Sequence, residues 1–488
     1  MVFIGIGLII LFGFVLYLSL NTLRLPKDKQ AVEPYPPQPF DKKQLAQFLS
    51  EAVKIKTISK AEMKAEDYKA FLQFHQWLQK TFPNIHNHLT HEIINRYSLL
   101  YKWQGSNPDL KPVLISAHMD VVPVEESTLK QWHADPFAGE IQEGFVWGRG
   151  SLDMKHHIVT SFSAVEKLIH EDYTPKRTIY FAIGHDEEIS GKDGARQIAA
   201  HFKNKGIRLA ALLDEGGMIS RGLLPDVSQD IAVIGIGEKE YATVNLSAEG
   251  NPGHSSNPPR QTAIGIIARA LALLDDNPMK PCLDFILPAL RKIAYLFQFP
   301  FQMVIANHAI FREIIIKNLE QQPQTNALMR TTHAATVIRG GIKDNVLPAE
   351  ASAKVNFRIL PGDGTERVLL HIRKTINDPR VNAEIDDADA WGPCKVSNID
   401  TAAYRTLALV IRQIFGNQPV APLLLMFATD ARHYQDVCDQ LYHFSPLCVQ
   451  TQDLARLHGI DERISIEGLE KMAQFFSRLI TVWGDAEF

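Results

Sequence analysis

Cysteine is scarce in this chain: Cys282, Cys394, Cys438 and Cys448 are the only four in 488 residues, and no two form a CxxC pair. That excludes a cysteine-built zinc module and a dense disulfide framework. Each cysteine reads as a small buried apolar residue, with a Cys438 to Cys448 bridge as the alternative. A basic excess is missing too. Lys and Arg number 51 against 55 Asp and Glu, a net charge of -4, so neither a basic groove nor a nucleic-acid partner is expected. No internal repeat stands out, which excludes solenoids and propellers. What remains is an ordinary globular composition, 45% hydrophobic and 22% charged. At this length two domains are expected after any targeting segment.

Charge is absent altogether from Val2 to Leu20, VFIGIGLIILFGFVLYLSL, a run about long enough to cross a bilayer as a helix. The following LSLNTLRLP offers a poor cleavage site, so residues 1–24 read as an uncleaved transmembrane anchor rather than a signal segment. Arg24, Lys27 and Lys29 follow the span and nothing basic precedes it. Taken alone, the positive-inside rule would keep the body cytoplasmic. Residues 25–40 include the proline-rich QAVEPYPPQPF and read as an extended linker.

From Asp41 to about Phe82 apolar residues recur at three- and four-residue steps, the helical period. His75 falls there and reads as structural. A strand pair including Ser98 to Trp103 follows. Three apolar runs without alternation then read as strands buried on both faces, KPVLISAHMD (111–120), RTIYFAIGHDEE (177–188) and LAALLDEGG (209–217). Each stops at a histidine or a carboxylate. In open α/β sheets ligands lie beyond the carboxyl ends of the strands, so these three ends are expected to share one site. The fold class is therefore α/β, with a mixed, mostly parallel sheet. Residues 41–237 form its first part and residues 391–488, with helices at Ala402 to Ile414 and Ile466 to Trp483, complete it. Residues 238–390 read as an inserted α+β unit, with strands at YATVNL, THAATVIRG and ASAKVNFRIL and a long helical stretch from about Met279 to Leu319. Burial inside that unit is the expectation for its apolar run, LDFILPALRKIAYLFQFPFQMVIANHAIF, with an acyl pocket or a dimer contact as alternatives.

The strand ends carry the chemistry. His118 and Asp120 are two apart, so one face can present a metal-binding ring and the carboxylate that orients it. Asp153 follows Gly148 and Gly150, which suit a tight turn that brings backbone close to a site. Adjacent Glu187 and Glu188 diverge, so one can hold a metal while the other accepts a proton from water. Mixed histidine and carboxylate donors suit Zn²⁺, with Mn²⁺ or Co²⁺ as alternatives.

Six motifs in order, SAHMDVVPV, GRGSLDMK, GHDEEISG, LLDEGG, GNPGHSSNPP and LHGIDERIS, resemble the aminoacylase and carboxypeptidase family of two-zinc metallohydrolases. The nearest resemblance is to its carboxypeptidase S and N-fatty-acyl-amino acid synthase/hydrolase branch. It covers Asp41 to the C-terminus and implies a zinc-peptidase-like catalytic domain with an inserted lid and dimerisation domain at 238–390. Carried over residue by residue, it implies that His118 and Asp214 bind one zinc, Glu188 and His458 the other, and that Asp153 bridges them. Glu187 would be the general base and Asp120 the partner of His118. The context HGIDER favours His458 over His443, whose LYHFSPL surroundings look structural. His254 would steady the oxyanion, in the family often across a dimer interface. Asn345 and Arg358 would contact substrate, Arg358 by clamping a carboxylate. The loop ATDARHY begins with Ala428 where the family has Gly.

The resemblance thus implies cleavage of an N-acyl, or N-fatty-acyl, amino acid, with the reverse condensation open to the same groups. A carboxypeptidase or dipeptidase acting on short peptides is the alternative. A non-catalytic, membrane-anchored binding protein is the reading from another class. The resemblance also implies a homodimer and a body on the extracytoplasmic side, against the charge argument for orientation.

Overall fold

Val113–His118, Ile179–Gly184 and Ala211–Asp214 are neighbouring parallel strands, and every residue in them is buried. Their alternate side chains feed two cores. Ile115, Phe181, Ile183 and Leu213 face one, with Phe74, Phe162, Phe476 and Trp483. Leu114, Tyr180, Ala182 and Leu212 face the other, with Ile198 and Phe202. Each large side chain so buried contributes roughly 1.5–3 kcal/mol, which is why these runs tolerate no polar alternation. In this computed structural model all residues are described except 1, 27–30, 37, 222–226, 228, 387–389, 393 and 487. Parts of the expected linker, 27–30 and 37, therefore lie outside the described residues.

The three strands sit within a ten-stranded mixed sheet. Its path runs Thr90–Ile94, Ser98–Trp103, Ile179–Gly184, Val113–His118, Ala211–Asp214, Leu441–His443, Ile231–Glu238, Ile219–Arg221, Cys448–Gln450, and Val420–Leu425 pairs with Ile231–Glu238 off that path. Five of the nine pairings are parallel, including all three at the centre. Helices Lys42–Lys54, Lys155–His170 and Ile466–Asp485 cover one face, Ala195–Asn204 the other. Asp41 starts the first of these by accepting from the Lys43 and Gln44 N–H groups, which satisfies two of the helix's otherwise unpaired donors.

At Lys239 the chain leaves this sheet for a second one, antiparallel, in the order Thr332–Gly340, Glu350–Ile359, Glu240–Glu249, Val381–Ile385. The alternating burial of its two central strands reflects one face covered by helices Ala263–Asp276 and Gly364–Ile376. Lys239 is buried at the crossing, where its ammonium donates to Ala327 O, Arg330 O and Thr332 Oγ1.

Two expectations change. The stretch from 279 onward is not one long helix. It breaks into Leu287–Ile293, Phe299–Ala306, Arg312–Leu319 and Pro323–Met329, with Pro288, Pro300 and Pro323 in the first turns of three of them. These helices build their own core from Leu283, Ile286, Leu290, Ile305 and Ile315, packed against Leu423 of the main sheet. The cysteines also differ from expectation. All four are free, Cys438 is buried and Cys448 is exposed, so no Cys438 to Cys448 bridge forms and burial is complete only for Cys438.

Candidate metal centre

Three strand ends and two loops converge on a single group of side chains. His118 ends its strand in register with Gly184, just before the turn Glu187–Ile189. On the other side Ala211–Asp214 runs parallel to the same strand, and Glu215 follows at its end. Asp153 arrives from the loop ahead of Lys155–His170, and His458 from the loop after Cys448–Gln450.

Asp153 stands between the two imidazoles. Its Oδ1 lies 3.2 Å from His118 Nε2, and its Oδ2 lies 3.0 Å from His458 Nε2. Glu215 Oε1 is 3.3 Å from His118 Nε2, and Glu188 Oε2 is 3.2 Å from His458 Nε2. Glu188 Oε1 is buried without a partner. The donor atoms of His118, Asp153 and Glu188 all lie within 4.8 Å of one another, as do those of His118, Glu187 and Glu215. One carboxylate shared by two histidines, each with a further glutamate, has the donor chemistry of a pair of divalent cations.

Electrostatics point the same way. Burial pushes Glu215 up to about 8, helped by the neighbouring Asp153 and opposed by His118. Burial also carries Glu187 well above the usual carboxylate range, with Glu215, Asp430 and Glu188 adding to it. Hydrogen bonds to Asp153 and Glu188 lift His458 to about 10. So many acids around two imidazoles repel one another, and cations placed among them would relieve the crowding. This is the observation on which the residues fit the metals.

Asp120 organises the surroundings. It is fully buried, and its carboxylate lies 3.3 Å from His118 Nδ1, while Ser59 Oγ donates to it at 2.6 Å. The N–H groups of Glu187 and Glu188 donate to its two oxygens at 3.2 and 3.1 Å. Burial alone would raise Asp120, but these donors hold it below the ordinary range. One side chain thereby fixes the His118 ring and the turn that carries both glutamates.

Asp214 does not face the histidines. It accepts from Thr429 Oγ1 at 2.9 Å, and that hydroxyl also lies 2.7 Å from Glu238 Oε1. A single hydroxyl hydrogen serves one carboxylate at a time, so the second acid keeps a proton of its own. Glu238, pushed up to about 7 by burial, is suited to keep it. Of the two adjacent acids it is Glu215, not the expected Asp214, whose carboxylate lies beside His118 Nε2, at 3.3 Å. His443 is buried behind, near Thr429 and Glu238.

A second residue escaped the reading of the sequence by role, although its motif was noted. Glu462, the acid of HGIDER, is fully buried and accepts at Oε1 from the N–H groups of Gly150, Leu152 and Asp153. Its Oε2 pairs with Arg149, whose guanidinium also donates to His458 O and Gly459 O. It positions both the Asp153 turn and the His458 loop.

The residues expected on the inserted segment lie apart from this group. His254 is exposed on a two-residue strand paired with Val346–Leu347, and its Nδ1 lies 2.8 Å from Ser256 Oγ. Asn345 O accepts from Ser255 N. Arg358 lies over the Tyr241 ring at 4.8 Å, Tyr241 stacks on Trp391 at 4.6 Å, and Arg432 covers Trp391 at 4.8 Å. Arg432 in turn donates to Ser190 O and Thr429 O. This stack connects Arg358 to the acidic turn.

Residues 114–482 match the sequence model of peptidase family M20/M25/M40. The chain is 37% identical to a probable carboxypeptidase S-like 2 of Dictyostelium discoideum, over 96% of this chain and 92% of that one. It is 38% identical to the N-fatty-acyl-amino acid synthase/hydrolase PM20D1 of Xenopus tropicalis, over 90% and 86%, and 30% identical to carboxypeptidase S of Saccharomyces cerevisiae, over 94% and 87%. In fold it is similar to a metallo-carboxypeptidase of Sulfolobus solfataricus, with a TM-score of 0.66 at 15% identity, covering 90% of this chain and 99% of that one.

Proposed function

The chain belongs to peptidase family M20/M25/M40, and from that premise we propose that it is a two-zinc amidohydrolase that cleaves N-acyl amino acids, long-chain acyl ones included. The carrying observation is Asp153 held between His118 and His458, with Glu215 and Glu188 beside them. His118, Glu215 and Asp153 would hold one ion, and Asp153, Glu188 and His458 the other; Mn²⁺ or Co²⁺ would suit the same donors. Bound there, the ions would polarise the scissile carbonyl and make water a stronger acid. Glu187 takes the proton of the attacking water and passes it to the leaving amine nitrogen. Its burial raises its proton affinity, as a base that must later act as an acid requires. Asp120 keeps the His118 ring oriented throughout. His254 donates to the carbonyl oxygen as negative charge develops there, and Asn345 and Arg358 hold the substrate carboxylate.

His254 is exposed on its own protomer, so this role calls for closure of the inserted segment as a lid or for a second copy. A homodimer is supported by Thr332–Gly340, an edge strand with Val337 and Ile338 exposed. An acyl preference is supported by the relation to the N-fatty-acyl-amino acid synthase/hydrolase of Xenopus tropicalis; the apolar-walled pocket beside Asp153 and Glu215, lined by Leu152, Met218, Phe427 and Leu457, is about 60 Å³ and has room for the first carbons of the chain only. The peptidase alternative is supported by the relation to carboxypeptidase S. The binding-protein alternative requires a lost ligand or base, and this chain keeps them all.

The decisive variant is Glu187→Gln. It should retain both metals and lose turnover by roughly 10²–10⁴-fold; an active Gln variant would refute the proton role. Hydrolysis of a long-chain acyl-phenylalanine compared with that of a dipeptide separates the substrate readings, and equal or better dipeptide turnover would sink the acyl one. We also read Val2–Leu23 as an uncleaved membrane anchor with the body on the extracytoplasmic side. Its support is one apolar helix of sufficient length near the N-terminus.

A further inference from the structure

The apolar helix Val2–Leu23 does not leave the body freely. Its last turns are seated on helix Phe299–Ala306. Leu18 and Thr22 are buried, and Leu25 joins the core of Ile286, Leu290, Ile305 and Ile315. Asn307, which ends the seating helix, donates to Leu18 O at 3.2 Å and accepts from Asn21 Nδ2 at 2.9 Å. Upstream, every residue from Phe3 to Tyr17 is exposed. A free rod of 15 residues is about 22 Å long at the α-helical rise, whereas the hydrocarbon core is about 30 Å thick. The rod falls short by roughly 8 Å, a mismatch that is met either by local thinning of the bilayer or by entry of the seat into it.

The seat has the composition that entry demands. From Ile293 to Phe311 the chain carries no Asp, Glu, Lys or Arg, while Arg291, Lys292 and Arg312 bracket the stretch. Phe299 is 57% exposed and Ile310 49%. These two large apolar side chains stand at the surface of the segment that seats the anchor, where a lipid phase would cover them. Of the basic residues at its edges, Lys292 lies over the Tyr404 ring at 4.6 Å and Arg312 donates to Pro281 O and Glu313, and the exposed Arg291 suits the headgroup layer.

We propose that helix Phe299–Ala306 and its flanks form a monotopic membrane face, with Phe299 and Ile310 inserted about 5–10 Å into the acyl boundary. The inserted depth makes up the length that the anchor helix lacks. The body is then held by two contacts in one fixed orientation, rather than hanging from a flexible tether. This rests on the reading of Val2–Leu23 as an uncleaved anchor.

The test uses the full chain reconstituted into phosphatidylcholine vesicles with brominated acyl chains. Phe299→Trp places a probe on the proposed face, and Leu370→Trp places one on the 66%-exposed position of helix Gly364–Ile376. Both sites are exposed, so neither change threatens the fold. Flotation of the vesicles reports the anchor, and quenching of the added tryptophan reports the face. The expected result is flotation of both variants, with the emission added at 299 cut by about half or more and that added at 370 unchanged. Flotation with equal quenching at the two positions leaves the anchor standing and overturns the membrane face. A blue shift at 299 that grows with protein concentration, without bromine quenching, assigns the face to a second copy and also overturns it. Failure to float overturns the anchor and the proposal together.

Discussion

Neighbouring acids at a strand end cannot share one task, because successive side chains diverge. Asp214 turns inward to Thr429 and Glu215 turns to His118. Glu215→Gln should therefore lower metal affinity by more than the roughly 10–100-fold typical of residues one step removed from the ion, while Asp214→Asn should stay within that range. Elemental analysis of dialysed variants reads this directly; equal loss from both would mean that the two acids are not distinguished as the geometry has them. Glu462→Gln sets an amide NH₂ against the Arg149 guanidinium and loosens the turn that carries Asp153. It should cost about 10–100-fold in metal affinity with the fold retained, and a variant that binds metal as tightly as the native chain would remove Glu462 from its positioning role. The sequence made the acid-rich ends legible because an apolar run that stops at His or Glu needs something positive there. It could not say which of Asp214 and Glu215 faces His118, since that depends on the turn through Gly216, at φ +132°, and on Thr429, 215 residues beyond the aspartate it binds.

The same limit appears among the elements. Buried strands were readable from unbroken β-branched and aromatic runs, and the second sheet from strands alternating with helices. The apolar stretch after residue 279 was readable as apolar and as buried, but hydrophobic density does not name its partner; its side chains pack largely on one another, with Leu25 and Leu423 joining from outside the inserted segment. Contact between the two sheets was invisible for a similar reason. The stack of Arg358, Tyr241, Trp391 and Arg432 joins four segments that share no motif. Each ring or cation contact in it is worth about 0.5–1.5 kcal/mol. Through Arg432 the stack reaches Ser190, two residues past Glu188. Trp391→Ala should let the inserted segment drift, lowering kcat/KM for an acyl amino acid by roughly 10–100-fold, the loss of its two contacts, to Tyr241 and to Arg432. Metal content should not change. A drop in metal content equal to the drop in activity would show that the stack supports the ion site rather than the placement of Arg358.

At the scale of the whole molecule the buried acids tie metal, proton and fold stability together. Without metal, Glu215 in the folded chain keeps its proton up to about 8 and His458 keeps its own up to about 10, each above the unfolded value. Between the unfolded and folded pKa values the native metal-free state binds more protons than the unfolded state, so its stability falls as pH rises. For His458 that loss runs from about 6.5 to about 10, and for Glu215 from about 4.5 to about 8; across pH 6.5–8 both act in the same direction. Bound cations need these groups deprotonated and so reverse the dependence, because binding tightens as protons leave. The buried Lys155 and Lys239, lowered to about 7 by burial, act in the opposite direction in both forms, so the gap in melting temperature between zinc-loaded and chelated protein is the readout, and it should widen from pH 6.5 to 8. Calorimetric titration of zinc into the chelated protein at pH 7, in buffers of different ionisation enthalpy, should report the release of about one proton or more per ion. Parallel melting curves with and without metal, together with a buffer-independent binding enthalpy, would mean that these acids and imidazoles are not the groups that hold the cations.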